Sequence, residues 1–326
     1  MAKVFVTRPI PEAGVQVLTD ALGKDQIETG TEDKAIPRDL LLKHVRGKSG
    51  VLSMLSDRMD AEVMDAAGPQ LKVIANFAVG YDNIDVDAAR QRAIHVTNTP
   101  DVLTDATADL AWTLILSAAR RAGEGERFLR AAAWNGWGPR QLLGVSIYGK
   151  TLGIFGMGRI GQAVAKRARG FDMQVVYHDA YPLEPDREAE LNAVFVDKET
   201  LLARADVLSI HCPLNEQTRY AFTLAEMARM KPTAILVNTA RGPVVKEDDL
   251  CKALDTGIIF AAGLDVYERE PEVYAALLRQ ERAVILPHLG SATIETRDAM
   301  ARLAAANIVT ALQDKQPPTC VSCCGK

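Results

Sequence analysis

The stretch from Thr151 to Gly161 constrains this chain more than any other. An apolar run of buried-strand length (Leu152, Ile154, Phe155) leads directly into Gly156-Met157-Gly158-Arg159-Ile160-Gly161, a Gly-x-Gly-x-x-Gly sequence. Apolar residues then recur at three- and four-residue spacing through Ile160, Val164, Ala165 and Ala168, the period of a helix packed on one face. In a strand–turn–helix of this kind Gly156 permits the tight turn, Gly158 lets backbone approach a pyrophosphate, and Gly161 allows close helix–strand packing. The free N–H groups and dipole at the helix start favour phosphate charge. A next strand, Met173 to His178, ends at Asp179, at roughly the 20-residue spacing from which a carboxylate accepts hydrogen bonds from a ribose 2′-OH. Glycines alone also make plain turns. With strand before, helix after and the acid at this distance, the stretch predicts a dinucleotide site.

The rest of the chain is read around that unit. Strands and helices alternate from 151 to 288, and 206–211, 234–239, 258–265 and 283–286 are apolar runs suited to parallel strands buried on both faces. Residues 1–100 read as a separate α/β unit. It has strands at 4–6, 50–55 and 71–76, and helices at 11–22 and 37–45, the latter with Pro37 at its first position. A long last helix, 293–313, could return to this unit. The predicted fold class is therefore α/β, two Rossmann-like doubly wound parallel-sheet domains with the first discontinuous. Residues 1–100 and 289–326 form the substrate-binding domain, and 101–288 the dinucleotide-binding domain. A helix from Asp105 to Arg120 is apolar around its circumference, which predicts burial on all sides. The irregular stretch that follows carries Trp134 and Trp137, more easily explained as packing on a partner subunit, so a homodimer is expected.

Composition excludes several classes. The 326 residues carry a net charge of −4, which argues against a nucleic-acid surface. No apolar run reaches the roughly 18 residues of a membrane span, and the start breaks off too soon for a secretory signal, so a cytoplasmic protein is expected. Cys320, Cys323 and Cys324 crowd the tail. With no His nearby in sequence they read as a loose, incidental end, and no metal site is expected.

Strong polar candidates lie just past strands. Arg241 follows one, Asp265 with Glu268 and Glu270 the next, and His288 the last; ligands of open α/β sheets gather at such carboxyl ends. Oxidising a hydroxy acid, or reducing a keto acid, needs these three types. An Arg fork binds a carboxylate, a His exchanges the hydroxyl proton, and an acid fixes the His tautomer. Taken singly, an Arg near a strand end is usually a surface ion pair and a Glu a solvated group. His44, His95 and His178 lack such company, but His211 shares it and rivals His288. In the first unit the strand exits at 55 and 77–85 are suspect, and Gly80 is suited to letting backbone come close to a small anion.

Seven segments carry a resemblance along essentially the full length. They are 76–85 (Asn-Phe-Ala-Val-Gly-Tyr-Asp-Asn-Ile-Asp), 99–109, the glycine loop 156–161, His211-Cys212-Pro213-Leu214, Asn238-Thr239-Ala240-Arg241-Gly242, 263–271 and Pro287-His288-Leu289-Gly290-Ser291-Ala292. In this order they resemble the D-2-hydroxyacid dehydrogenase family, most closely its glyoxylate/hydroxypyruvate reductase branch. The resemblance implies that His288 is the proton donor, Glu270 its partner and Arg241 the substrate-orienting cation. It implies substrate carboxylate binding by backbone of Val79 and Gly80 with Leu55 nearby. It implies cofactor contacts from Thr104, Gly156, Gly158, Arg159, Ile160, Gly161, Asp179, Cys212, Thr239, Ala240, Asp265 and Gly290. It further implies a dimer built by the second domain. Gln141 stands near where some reductases of this branch place a Trp. The expected activity is NADH-dependent reduction of a small 2-keto acid such as glyoxylate or hydroxypyruvate, with NAD preferred over NADP because nothing cationic follows Asp179 in Ala180-Tyr181-Pro182. The alternatives are a 3-phosphoglycerate dehydrogenase-like enzyme, disfavoured by the lack of cations near Leu55 and Phe77, and a dinucleotide-binding corepressor.

Overall fold

The structure, a computed structural model, describes residues 2–322. The chain divides into two compact units: Met1–Leu103 with Ser291–Lys326, and Thr104–Gly290.

The first unit is built on five parallel strands, β1 (Val4–Val6), β2 (Ile27–Thr29), β3 (Gly50–Ser53), β4 (Val73–Asn76) and β5 (His95–Thr97), in the order β2-β1-β3-β4-β5. β1, β3 and β4 are buried along their whole length, as apolar strands covered on both faces must be. The helix Ile294–Leu312 comes from the far end of the chain and packs on the helix Glu12–Leu22 and on β3 and β4. The two helices cross so closely at Gly14 that a Cβ there would lie 2.7 Å from the carbonyl oxygen of Ala301. Only glycine fits that crossing.

Beyond this helix the tail pairs with β5: Val321 N donates to Val96 O at 2.8 Å, and Cys320 bridges Thr97 antiparallel. The expected loose tail is therefore corrected as far as residue 322, because the backbone groups of β5 find their partners there. Cys323 and Cys324 lie outside the described residues. Pro37 stands just before the helix Arg38–His44 rather than at its first position.

The second unit holds seven parallel strands: β6 (Thr151–Phe155), β7 (Gln174–His178), β8 (Ala193–Phe195), β9 (Val207–Ile210), β10 (Ile235–Asn238), β11 (Ala261–Leu264) and β12 (Ala283–Ile285). Their order is β12-β11-β10-β9-β6-β7-β8. The chain starts in the middle of the sheet, winds out through β7 to β8, then returns to place β9 beside β6 and winds the other way. Where the order reverses, between β6 and β9, the crossovers part and leave a crevice at the carboxyl ends of the strands.

The helix Thr104–Ala119 packs against β10, β11 and the helix Arg159–Ala168. Its core side is apolar, with Trp112 stacked on Phe171 at 4.7 Å between ring centres. It is not buried all round. Asp105, Asp109, Thr113 and Leu116 form an exposed stripe, and Arg167 reaches Asp109 at 2.7 Å. Apolar content misled here because alanine occupies many positions and commits no face to the core.

Candidate active site

The glycine loop is shaped by contacts that differ from one glycine to the next. Gly156 has φ of +97°, and a Cβ on it would sit 2.5 Å from Cys212 N, so both backbone sign and space demand glycine. At Gly161 a Cβ would meet Gly156 O at 2.2 Å, which is the close packing of helix on turn. Gly158 differs: a Cβ on it would meet nothing within 4 Å. It caps the helix Arg159–Ala168, so its open flank adjoins the free N–H groups of the first helical turn. Space that the protein leaves at a helix start suits a pyrophosphate, and the residues here fit a dinucleotide. Asp179, the residue after β7, turns back on this loop. Its Oδ2 accepts from Met157 N at 2.5 Å and its Oδ1 from Ala180 N at 2.6 Å.

The strand ends beyond β9 carry the other candidates. His211 is tied down, its Nε2 2.8 Å from Ser209 Oγ and its Nδ1 3.4 Å from Thr239 Oγ1. Burial pushes its pKa down to about 3, so it is a neutral structural imidazole. Burial likewise pushes the Cys212 thiol up to about 12.

After β10, Asn238 accepts from Ala240 N at 3.0 Å and donates to Arg241 O at 2.9 Å, clamping the turn that presents Arg241. Gly242 follows, and a Cβ on it would lie 1.8 Å from the carbonyl carbon of Tyr267. This presses the Arg241 turn against the loop after β11, which carries Glu270.

Glu270 and His288 meet at 2.7 Å, Oε2 to Nδ1. Oε1 of Glu270 accepts from Tyr267 N at 3.0 Å. Burial raises the pKa of Glu270, but the hydrogen bond and charge of His288, the Tyr267 N–H and the charge of Arg241 outweigh it and hold the carboxyl below its ordinary value. An ionised carboxylate only accepts, so Nδ1 carries the hydrogen and Nε2 is left for a reacting group. His288 has φ of +55°, a left-handed conformation uncommon outside glycine. It is held there from both sides. His288 N donates to Leu286 O at 3.1 Å, whereas Asp265 accepts from Leu289 N at 2.6 Å and Gly290 N at 2.8 Å. Burial pushes Asp265 up to about 6, with the charge of Glu270 adding to the rise. Glu268, two residues before Glu270, has other partners and accepts from Glu247 N and Tyr220 OH.

Sequence reading singled out neither Asn238 nor Tyr267 for a role. Tyr267 serves both arms of the pair, its N–H on Glu270 and its OH on Leu286 O at 2.8 Å. Its apolar surroundings read as core, and only the geometry exposes the second use. Among the described residues no group of His, Cys, Asp or Glu side chains could hold a metal ion. Leu55, Val79 and Gly80 belong to the first unit, at the ends of β3 and β4, each partly buried.

A sequence model of the "D-isomer specific 2-hydroxyacid dehydrogenase, NAD binding domain" matches residues 112–290. The chain belongs to the D-2-hydroxyacid dehydrogenases. A glyoxylate reductase of Thermococcus kodakarensis is 49% identical over 324 residues, 98% of this chain and 96% of that protein. Among solved structures, a glyoxylate reductase from Paecilomyes thermophila superposes with a TM-score of 0.87 at 35% identity, covering 98% of both chains. The NADPH-dependent glyoxylate/hydroxypyruvate reductase of Sinorhizobium meliloti, in complex with NADP and malonate, gives 0.83 at 33% identity over 98% of this chain and 96% of that one. This dehydrogenase is therefore a two-unit α/β enzyme with a nicotinamide dinucleotide cofactor.

The three glycines separate the protein's own demands from those of the dinucleotide. Gly161→Ala should lower the melting temperature, because its Cβ has no room. Gly158→Ala should leave the melting temperature of the free protein near wild type and weaken NADH binding about 10-fold or more, the effect of one forced clash. Thermal melts with and without NADH, and a fluorescence titration, read both; unchanged NADH affinity in Gly158→Ala would place the pyrophosphate elsewhere.

Proposed function

We propose that this dehydrogenase reduces glyoxylate, hydroxypyruvate or a similarly small 2-keto acid to the D-2-hydroxy acid, with NADH as the preferred reductant. The observation that carries the chemistry is the ionised Glu270 on His288 Nδ1, beside the turn of Arg241. The near full-length likeness to a glyoxylate reductase supports the substrate class.

In this reading a nicotinamide dinucleotide would, when bound, supply the hydride that the carbonyl carbon accepts. Arg241 orients the keto acid through its planar guanidinium. His288 Nε2 gives its proton to the carbonyl oxygen as charge develops there, and Glu270 holds the tautomer and stabilises the imidazolium. Backbone N–H groups of Val79 and Gly80, with Leu55 alongside, receive the substrate carboxylate. Gly156, Gly158, Arg159, Ile160 and Gly161 would hold the pyrophosphate of a dinucleotide and Asp179 its ribose, with Thr104, Cys212, Thr239, Ala240, Asp265 and Gly290 completing the surround.

His288→Ala should cost on the order of 10²–10⁴ in kcat with NADH affinity nearly unchanged. Glu270→Gln removes the ionised carboxylate that keeps the hydrogen on His288 Nδ1, so kcat should fall on the order of 10²-fold or more with NADH affinity nearly unchanged. A wild-type kcat would deny Glu270 this role.

Asp179 supports the choice of cofactor. Its carboxylate suits a free 2′-OH and would repel a 2′-phosphate. The nearest downstream cation, Arg187, is engaged with Gln162 Oε1 at 2.8 Å and paired with Glu190. Steady-state oxidation of NADH and NADPH over a panel of keto acids tests activity and preference together. The expected result is turnover of glyoxylate or hydroxypyruvate, with NADH favoured roughly 10–150-fold in kcat/KM, the scale of one unfavourable charge contact. Asp179→Ser with Ala180→Arg should narrow that ratio. Equal use of both cofactors by wild type would defeat the argument from Asp179, and no turnover on any keto acid would defeat the reading as a whole.

Trp137 is 85% exposed, and Leu129, Trp134, Leu143 and Tyr148 are exposed around it in sequence. So much exposed apolar surface supports a homodimer built by the second unit. Sedimentation at micromolar concentration should give twice the chain mass, and a monomer would overturn it.

A further inference from the structure

The loop after β4 is fixed by its carbonyls. Ala78 O accepts from Thr99 N, Val79 O from the Asn98 Nδ2 and Gly80 O from the Asn76 Nδ2, each at 2.8 Å. In a trans peptide the N–H points opposite to the C=O. Tying the carbonyls of Ala78 and Val79 therefore turns the N–H groups of Val79 and Gly80 the other way. Among the described residues neither donates to a protein atom. Two successive outward N–H groups make a concavity for an anion.

Asn98, which orients the Val79 peptide, is itself held from the far end of the chain. The Thr319 hydroxyl donates to Asn98 O at 2.6 Å and accepts from the Asn307 Nδ2 at 2.7 Å. Asn307 is fully buried on the helix Ile294–Leu312, and its Oδ1 accepts from Thr319 N at 3.2 Å. Asn98 N in turn donates to Thr319 O at 3.4 Å. The chain of bonds runs without a gap from Asn307 through Thr319 and Asn98 to Val79.

We infer that Thr319 is a positioning residue for substrate: seated on Asn307, it places Asn98 so that the Asn98 amide turns the Val79 peptide and aims the Gly80 N–H at the substrate carboxylate. This rests on the reading of Val79 and Gly80 as the carboxylate-binding backbone. An ordinary role in closing the tail onto β5 would affect stability alone, whereas a positioning role selects the keto acid over the dinucleotide.

Thr319→Val keeps the shape and removes both hydroxyl bonds. It should raise KM for glyoxylate about 3–10-fold, the value of one misplaced hydrogen bond, with KM for NADH unchanged. Thr319→Ser should restore the glyoxylate KM. Asn98→Ala, which leaves the Thr319 bond to the backbone carbonyl in place, should raise it as well and tests the Asn98 link alone; if Thr319→Val folds poorly, Thr319→Ala serves in its place. A folded Thr319→Val with wild-type glyoxylate KM overturns the inference, as does one in which both KM values rise together. Gly80→Pro deletes the N–H itself and separates the two levels. If it leaves the glyoxylate KM unchanged, the carboxylate reading has failed. If it raises KM while Thr319→Val does not, only the role of Thr319 has failed.

Discussion

The hydrogen bond between His288 Nδ1 and Glu270 Oε2 decides which nitrogen of the imidazole can exchange a proton, and much of the second unit is arranged around keeping it. The two side chains come from loops after neighbouring strands, β11 and β12, which pair in parallel and so empty at the same edge. Each loop is then fixed by its backbone. Asp265 takes the N–H groups of Leu289 and Gly290, Tyr267 ties its N–H to Glu270 and its hydroxyl to Leu286 O, and His288 adopts a left-handed backbone between these anchors. A strained residue persists only where its surroundings over-determine it. The Arg241 turn is bound into the same construction, since Gly242 lets it press on the Tyr267 peptide.

The opposite arrangement holds at the glycine loop. Gly156 and Gly161 are required by contacts within the protein, one by its φ and the approach of Cys212, the other by the carbonyl of Gly156. Gly158 satisfies no such demand and faces open space at a helix start. One motif thus holds two situations: contacts within the fold explain two of its glycines, and no contact among the described residues explains the third.

The first unit depends on contacts between residues far apart in the chain, more than 200 positions in each case. Gly14 against Ala301 and Thr319 with Asn307 against Asn98 join the two ends of the sequence into one domain. The helix Ile294–Leu312 therefore contributes more than cover for the sheet. It carries the buried amide on which the network behind Val79 begins.

The strand–glycine–helix pattern determined the second unit, because a continuous apolar strand followed by Gly156, Gly158 and Gly161 has few other solutions. The seven family segments determined membership and, by resemblance, pointed to Glu270, His288 and Arg241. Short strands escaped sequence reading: β2 and β8 are three-residue edge strands, partly exposed; β2 has no apolar run, and the apolar Ala193-Val194-Phe195 of β8 is too short to stand out as a strand. Residue types and spacing also left His211 and His288 as rivals. The structure separates them physically, one imidazole desolvated and bonded at both nitrogens within its own strand ends, the other leaning on an ionised carboxylate. Periodicity cannot register such differences, since they depend on which loops the sheet brings side by side and on how deeply each ring is buried. The roles of Tyr267 and Thr319 belong to the tertiary structure for the same reason: their hydroxyls work through backbone carbonyls of distant segments, Leu286 and Asn98, and no local pattern encodes those partners, whereas the turn that Asn238 makes with Ala240 and Arg241 is local.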